Sequence, residues 1–539
     1  MSTAAPADTG KRIISSAEER RVIIASSVGT VFEWYDFYLY AILAPFFAAL
    51  FFPPGNQTAA LLGAFGAYAA GFLVRPFGAL IFGRVGDLVG RKYTFIVTIS
   101  VMGVSTVLVG FLPTYTSIGF SAALILVALR LAQGLALGGE YGGAATYVAE
   151  HAPDHRRGYA TSWIQTTATV GMLVSLVIIL LCRVNMSADA FKSWGWRIPF
   201  WLSIPLLIIS IYIRVKLQES PIFQRMKAQG KRSKSPIKDS FFKYPNNKYT
   251  ALALFGATAG QGVVWYTGQF YALFFILIYL KLDFVSTYLL IGLSLAIGTP
   301  FFLAFGALSD KIGRKKIILA GCLLGALTYI PLFKGLTHYI NPDLEAYQAN
   351  TKISVAATNC GFHLFVMPTT VFTPCDKVKD YLGKNGLSFD SVPAEGGKEV
   401  VTTIGNLPPI EGWDAAKFAE AMKTTSLPTK ADHAKVNWFM AELILVVMLI
   451  YVTMVYGPIA AFLVELFPAN IRYTSMSLPY HIGNGWFGGM LPLVATAWVA
   501  ASGNIYQGLW YPIIVAAFTF VIGLLFLRET KDVKIHEEL

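Results

Sequence analysis

The residues able to do chemistry are ionisable side chains set inside long apolar runs. Glu33 and Asp36 lie three apart in the first run, so both fall on one helix face. At 1.5 Å per residue they lie roughly 18–22 Å along that helix from its start. Arg75 lies deep in the second run, and Arg130 falls in the middle third of the fourth. A charge near the centre of a bilayer is costly and must face a partner or a wet passage. A carboxylate in a poorly hydrated place takes up a proton readily, which suits a proton carrier. Arg130 is therefore expected to pair with Asp36 or Glu33, with protonation of the acid freeing the pair to reorganise. Arg130 or Arg75 could also hold a substrate carboxylate by two parallel hydrogen bonds. A static ion pair that glues helices together is the plainer alternative.

Further polar and aromatic residues could line a passage between the helices. The first run offers Tyr35 beside Trp34, Tyr38 and Tyr40, and the fifth offers Gln165. The seventh carries Gln261, Trp265 and Gln269 at i, i+4 and i+8, and the eleventh carries His481 and Asn484. Amides in hydrocarbon need partners, which makes them better candidates than single aromatics, whose usual role is packing. Tyr35, Arg75, Arg130, Gln165, Gln261, Trp265, Gln269, His481 and Asn484 make up the expected substrate site. There is no phosphate-binding glycine loop, no Cys/His spacing for zinc and no nucleophile–base pair. Neither an enzyme nor a protein holding a metal or cofactor is expected.

Many long helices must carry these residues. The chain has 539 residues, 55% hydrophobic and only 14% charged, with a mean hydropathy of +0.55. A soluble protein carries roughly 25% charge, so a lipid bilayer is part of the solvent. The net charge of +12 sits in short segments between apolar runs. That is the positive-inside pattern and not a nucleic-acid footprint. Spanning helices are predicted near 22–50, 58–83, 93–112, 117–149, 159–182 and 197–214, and again near 250–280, 286–308, 316–335, 437–466, 473–499 and 507–528. The expected architecture is an all-α membrane protein of twelve transmembrane helices in two six-helix bundles. Residues 1–21 form a cytoplasmic tail rather than a signal peptide. Residues 22–215 form the first bundle, 216–249 a basic cytoplasmic linker, 250–336 with 437–528 the second bundle, and 529–539 a second cytoplasmic tail. A monomer is expected.

Two internal repeats support the duplication. Gly83-x-x-x-Asp87-x-x-Gly90-Arg91-Lys92 recurs as Gly306-x-x-x-Asp310-x-x-Gly313-Arg314-Lys315, an offset of 223 residues. Glu150-x-x-Pro153-x-x-x-Arg157 recurs as Glu465-x-x-Pro468-x-x-x-Arg472, an offset of 315. The difference of 92 residues predicts an insertion in the second half, and the polar stretch 337–436 has that size. It follows the ninth helix and is expected outside the cytoplasm, between helices 9 and 10. Within it Asp414 to Met422 reads as a short amphipathic helix. Cys360 and Cys375 either close a small loop as a disulfide or stand as two thiols. Asp87 is placed to cap a helix N-terminus or to meet a neighbouring arginine. Asp87, Arg91, Glu150, Arg157, Asp310, Arg314, Glu465 and Arg472 are the expected cytoplasmic gate.

These paired loops, with Arg130-x-x-x-Gly134 on the fourth helix, resemble the major facilitator superfamily. Glu33-Trp34-Tyr35-Asp36-Phe37, Arg75-Pro76-Phe77-Gly78 and Glu465-x-x-Pro468-x-x-x-Arg472-Tyr473-Thr474 resemble its metabolite:proton symporter family more narrowly. The resemblance covers nearly the whole chain except the insertion. It implies the major facilitator fold, a bacterial inner membrane, and proton-coupled uptake of a small organic acid such as a 2-oxoglutarate-like or shikimate-like compound. A zwitterion such as betaine or proline is the alternative within transport. A transporter-like sensor whose insertion binds a ligand is the alternative from another class. Sodium in place of the proton stays open at this level.

Overall fold

The computed structural model describes residues 16–89, 91–216, 224, 228–230, 233–358, 360–361, 363, 367, 369–394 and 400–535. Most of the N-terminal tail and part of the basic linker lie outside the described residues, as does the Arg91 side chain. Eleven helices among the described residues are long and apolar enough to cross a membrane, and Ile96–Phe111 forms a shorter apolar helix. In chain order the helices are α1 (Ser16–Phe51), α2 (Gln57–Leu88), α3 (Arg91–Phe111), α4 (Ser121–His151), α5 (Asp154–Val184) and α6 (Gly195–Ile213). The second set is α7 (Asn246–Tyr279), α8 (Phe284–Ile312), α9 (Arg314–Ile340), α10 (Trp438–Leu466), α11 (Arg472–Ser502) and α12 (Gln507–Phe526).

Local chemistry sets the helix ends. Asn56 accepts a hydrogen bond from the Ala59 amide and starts α2, and Asp283 does the same for α8 through Ser286. Gly313, at φ +112°, turns the chain from α8 into α9 where a side chain would be strained. The two sets meet chiefly along α5 with α8 and α2 with α11. Helices α7 and α11 each depart from α geometry into π-helical turns, at Leu254–Thr258, Thr267–Tyr271, Phe275–Tyr279 and Ile482–Gly489. Such bulges re-aim side chains and often mark working sites. Gln269 and Asn484 lie in them.

The segment between α9 and α10 is not all-helical. It holds a four-stranded sheet of β1 (Ile353–Ala357), β2 (Asp390–Pro393), β3 (Val400–Ile404) and β4 (Ile410–Glu411), in the order β2-β1-β3-β4. β1 runs parallel to β2 and antiparallel to β3, with Val355 opposite Thr402. Helices Pro374–Lys384 and Ala415–Thr424 pack on it through Val378, Leu382 and Phe418, which join Val355 and Val400 in a separate small core. Asp414 caps the second of these helices. Cys360 and Cys375 form a disulfide that pins the first helix to the preceding loop. The all-α expectation is corrected here. The β3 residues alternate buried and half-buried, a short period that the sequence reading did not include.

Candidate functional site

Close helix packing places the two deep arginines together. Gly134 and Gly138 on α4 lie against the α2 backbone at Gly71 and Arg75, and a Cβ on Gly138 would reach the Arg75 carbonyl carbon at 3.0 Å. Arg75 and Arg130 then share the ring of Phe37 on α1, with their Cζ atoms 4.4 and 4.6 Å from its centroid. Arg75 also lies 4.0 Å from the Phe72 centroid, and Arg130 lies 4.6 Å from that of Tyr40. Arg130 donates Nη1 to Gln133 at 2.5 Å, and Gln133 donates onward to Thr106. Both guanidiniums are buried, and Nε and Nη2 of each have no hydrogen-bond partner. Neither meets a carboxylate among the described residues. Aromatic faces partly offset the desolvation of a cation, but a second positive charge on the same ring leaves the pair short of negative charge.

The expected pairing of Arg130 with Asp36 or Glu33 is not formed. Asp36 turns to α6 and accepts a hydrogen bond from Ser203 at 2.5 Å. The neighbouring face of α1, with Phe37 and Tyr40, is the one presented to Arg130. Glu33 and Asp36 are both buried. The Tyr35 hydroxyl donates to the Pro199 carbonyl at 2.6 Å.

The second half faces the arginines with a polar wall. The Tyr266 hydroxyl and the His481 ring lie beside Arg75. Both His481 nitrogens, the Trp265 Nε1 and both Gln269 amide atoms are buried without hydrogen-bond partners. Trp265 stacks on Tyr38 at 5.8 Å, and Tyr38 stacks on Trp34 at 5.3 Å. Gln165 donates to the Tyr141 hydroxyl at 2.7 Å and keeps its carbonyl oxygen unpartnered. Tyr141 stacks on Tyr480, whose hydroxyl meets that of Tyr456 at 2.7 Å, so a polar line crosses between the halves. Gln261 and Asn484 bond each other reciprocally at 2.9 and 2.7 Å. They clasp α7 to α11, and Asn484 also donates to the Tyr480 carbonyl at 3.2 Å. Tyr141, Tyr266 and Tyr456 were missed, since a tyrosine in an apolar run reads as packing.

The duplicated loops meet at one end of the molecule in a crosswise latch. Asp87 accepts from the Thr474 amide and hydroxyl, at 3.2 and 2.6 Å, at the start of α11. Asp310 accepts from the Gly158 and Tyr159 amides, at 2.8 and 2.9 Å, near the start of α5. Each aspartate therefore caps a helix of the opposite half. Arg157 donates to Glu465 at 2.8 Å and contacts Asp154, while Arg472 reaches Glu150 at 3.4 Å. Arg314 binds Glu465 at 3.0 Å and Asp310 at 2.7 Å within its own half. The segment after α12 adds a clasp that the repeats could not signal. Thr530 donates to Glu465, Glu529 accepts from the Arg314 and Lys315 amides, and the Val533 carbonyl accepts from Arg157.

Two halves that enclose unneutralised buried cations, latched at one end by duplicated charge pairs, make a carrier for a small solute. A family model described as sugar (and other) transporter matches residues 22–247. The inner membrane metabolite transport protein YhjE of Escherichia coli is 34% identical over 358 residues, 64% of this chain and 79% of that protein. The shikimate transporter of the same organism is 34% identical over 60% of this chain and 74% of its own length. Its proline/betaine transporter is 34% identical over 60% and 65%. The solved structure of the Escherichia coli xylose transporter XylE, partially occluded and inward open, superimposes with a TM-score of 0.62 at 15% identity, over 96% of this chain and all of that one. The chain belongs to the major facilitator superfamily, among its sugar and metabolite transporters.

Proposed function

We propose that this carrier takes up a small organic acid together with protons by alternating access. The observation that carries the reading is the Arg75–Arg130 pair, buried on one aromatic ring with free N–H groups and no acid. A substrate carboxylate would supply the missing charge through charge-assisted, two-point hydrogen bonds. His481, Trp265 and Gln269 offer donors from the other half. Asp36, with Glu33 on the same helix, carries the proton, and Ser203 is the partner that Asp36 exchanges on protonation. Asp87, Arg91, Glu150, Arg157, Asp310, Arg314, Glu465 and Arg472 close the cytoplasmic side.

The topology that goes with this has twelve spans in a bacterial inner membrane, both termini inside and residues 337–436 in the periplasm. One chain encloses the passage, so a monomer suffices. A second reading, a zwitterion such as betaine or proline, is favoured by the Trp34–Tyr38–Trp265 stack, which could face a quaternary ammonium. The test is uptake into proteoliposomes with an imposed pH gradient, using 2-oxoglutarate, shikimate and betaine. Accumulation of an acid above equilibrium is expected. Accumulation of betaine alone selects the second reading, and no accumulation of any overturns both.

A further inference from the structure

A cavity of about 740 Å³ lies at the end of the molecule away from the latch. It is walled by the α1–α2 turn of the first half, the end of α7 and the α11–α12 turn of the second, and the inserted helix Pro374–Lys384. The volume falls within the range of small-ligand sites, roughly 300–1,000 Å³. The aspartates of the inserted helix that line it are already engaged. Asp380 accepts from the Gln57 and Thr58 amides at 3.3 and 2.7 Å, strapping the insertion to the start of α2. Asp376 accepts from His363 at 2.9 Å and from the Gly361 and Thr373 amides at 2.8 Å each. The lysines on the same wall form no direct salt bridge among the described residues, although Asp376 attracts Lys379 through space. Lys281, Lys379 and Lys384 make no ion pair among the described residues; Lys281 donates only to the Lys384 carbonyl, and the Lys379 ammonium lies 6.0 Å from the Phe389 ring.

We propose that this cavity is an outer anion site, where a small carboxylate rests on Lys281, Lys379 and Lys384 apart from the central arginines. It takes its outward orientation from the transport reading above and is otherwise separate from it. Point charges on flexible stems hold an anion without demanding one geometry, so the site selects charge class over shape. A positive, low-dielectric mouth raises the local concentration of anions. The ammonium of a zwitterion meets like charges there. Lys281 comes from the second half and Lys379 and Lys384 from the insertion, while Asp380 ties the wall to the first half. The site is therefore complete only while all three pieces stand together.

The test uses the purified full chain and 2-oxoglutarate as probe, read by titration calorimetry. Arg75→Gln/Arg130→Gln should keep one binding event, and adding Lys379→Gln should weaken it roughly tenfold. Lys379→Arg in that background should restore it. In the unsubstituted chain, 2-oxoglutarate should protect Lys281 and Lys379 from acetylation, and betaine should not. Absence of protection, or binding that Lys379→Gln leaves unchanged, overturns the outer site. The central reading fails separately, if no acid accumulates in the uptake assay while this protection persists.

Discussion

Glu465 is where the latch concentrates, and neutralising it is the most direct test of the latch. Its carboxylate accepts from Arg157 at 2.8 Å, from Arg314 at 3.0 and 3.3 Å, and from Thr530 at 2.7 Å. The side chains of Glu465, Arg157 and Arg314 are all 0% exposed, so solvent screening is weak. Only Arg157 belongs to the first half, so only that bond breaks when the halves part here. A hydrogen bond to a charged group contributes about 1.5–3 kcal/mol. Glu465→Gln keeps the shape and one acceptor but loses the charge, so the cross-half pair should weaken by about 1–2 kcal/mol. At 1.36 kcal/mol per decade, that moves the latched-to-open ratio roughly 5–30-fold. The lost Arg314 contact lies within one half and costs both states alike. Spin labels at the exposed Val89 and Ile312, on opposite halves at this end, report the spacing by pulsed dipolar spectroscopy. A longer-distance population should grow in Glu465→Gln. Thr530→Val, which removes a bond within one half, should leave the distribution as it is. An unchanged distribution in a folded Glu465→Gln protein refutes the latch.

Asp36→Asn should abolish accumulation driven by a pH gradient while substrate exchange across the membrane continues; full coupling in that variant removes Asp36 from the mechanism. Arg130→Lys loses the planar fork held over Phe37 and Tyr40, and carboxylate binding should weaken at least tenfold, or about 1.5 kcal/mol, by calorimetry. Cys360→Ser with Cys375→Ser opens a loop of 15 residues, for which chain entropy gives about 3 kcal/mol, and amide exchange in Pro374–Lys384 should rise; unchanged exchange contradicts this. Burial pushes the Lys281 ammonium down to about 8, with the like charge of Lys384 adding to it. Nearby Asp283, which burial pushes up, is nonetheless held below its ordinary range by hydrogen bonds from Ser286 and His433, so it stays ionised throughout. Binding of 2-oxoglutarate at the outer site should therefore be strongest well below pH 8 and fall as the pH rises through about 8 and Lys281 loses its proton, and Lys281→Arg should flatten that profile.

The duplicated plan was legible because identical strings in two places constrain one another. Asp87 and Asp310 stand at equivalent points of their repeats, and each caps the opposite half's helix. The depth of Arg75 and Arg130 was legible from their place in apolar runs. Their partners were not. A helix periodicity fixes the face of a residue but not the rotation of that helix against five neighbours, so Asp36 could equally meet Arg130 or Ser203. Gln261 and Asn484 were rightly read as amides that need partners, yet only packing showed that they serve each other. The line through Tyr141, Tyr480 and Tyr456 was hidden because tyrosine in an apolar run carries no signal of its own. The insertion had no second copy in the chain to compare it with, and its strands are too short for their alternation to stand out from its loops.

The two ends of the molecule differ in what holds them. At the latch the cross-half charge contacts recur in both halves, Asp87 with Asp310 and Arg157–Glu465 with Arg472–Glu150, and each hydrogen bond to a charged group contributes about 1.5–3 kcal/mol. At the other end Asp380 meets two amides at the start of α2, and the Tyr288 hydroxyl donates to the Ile42 carbonyl at 3.3 Å. A contact of that kind contributes on the order of 1 kcal/mol. The described arrangement is therefore held shut firmly on one side and strapped loosely on the other. A ligand shifts such a balance only by binding one state better than the other. The groups proposed to supply that difference lie on both halves, with Arg75 and Arg130 on the first and His481, Trp265 and Gln269 on the second. A carboxylate held by the arginines alone would favour neither state. One that also reaches the second set gains those bonds only as the halves draw together around it, and that gain must be large enough to offset the opening of the latch.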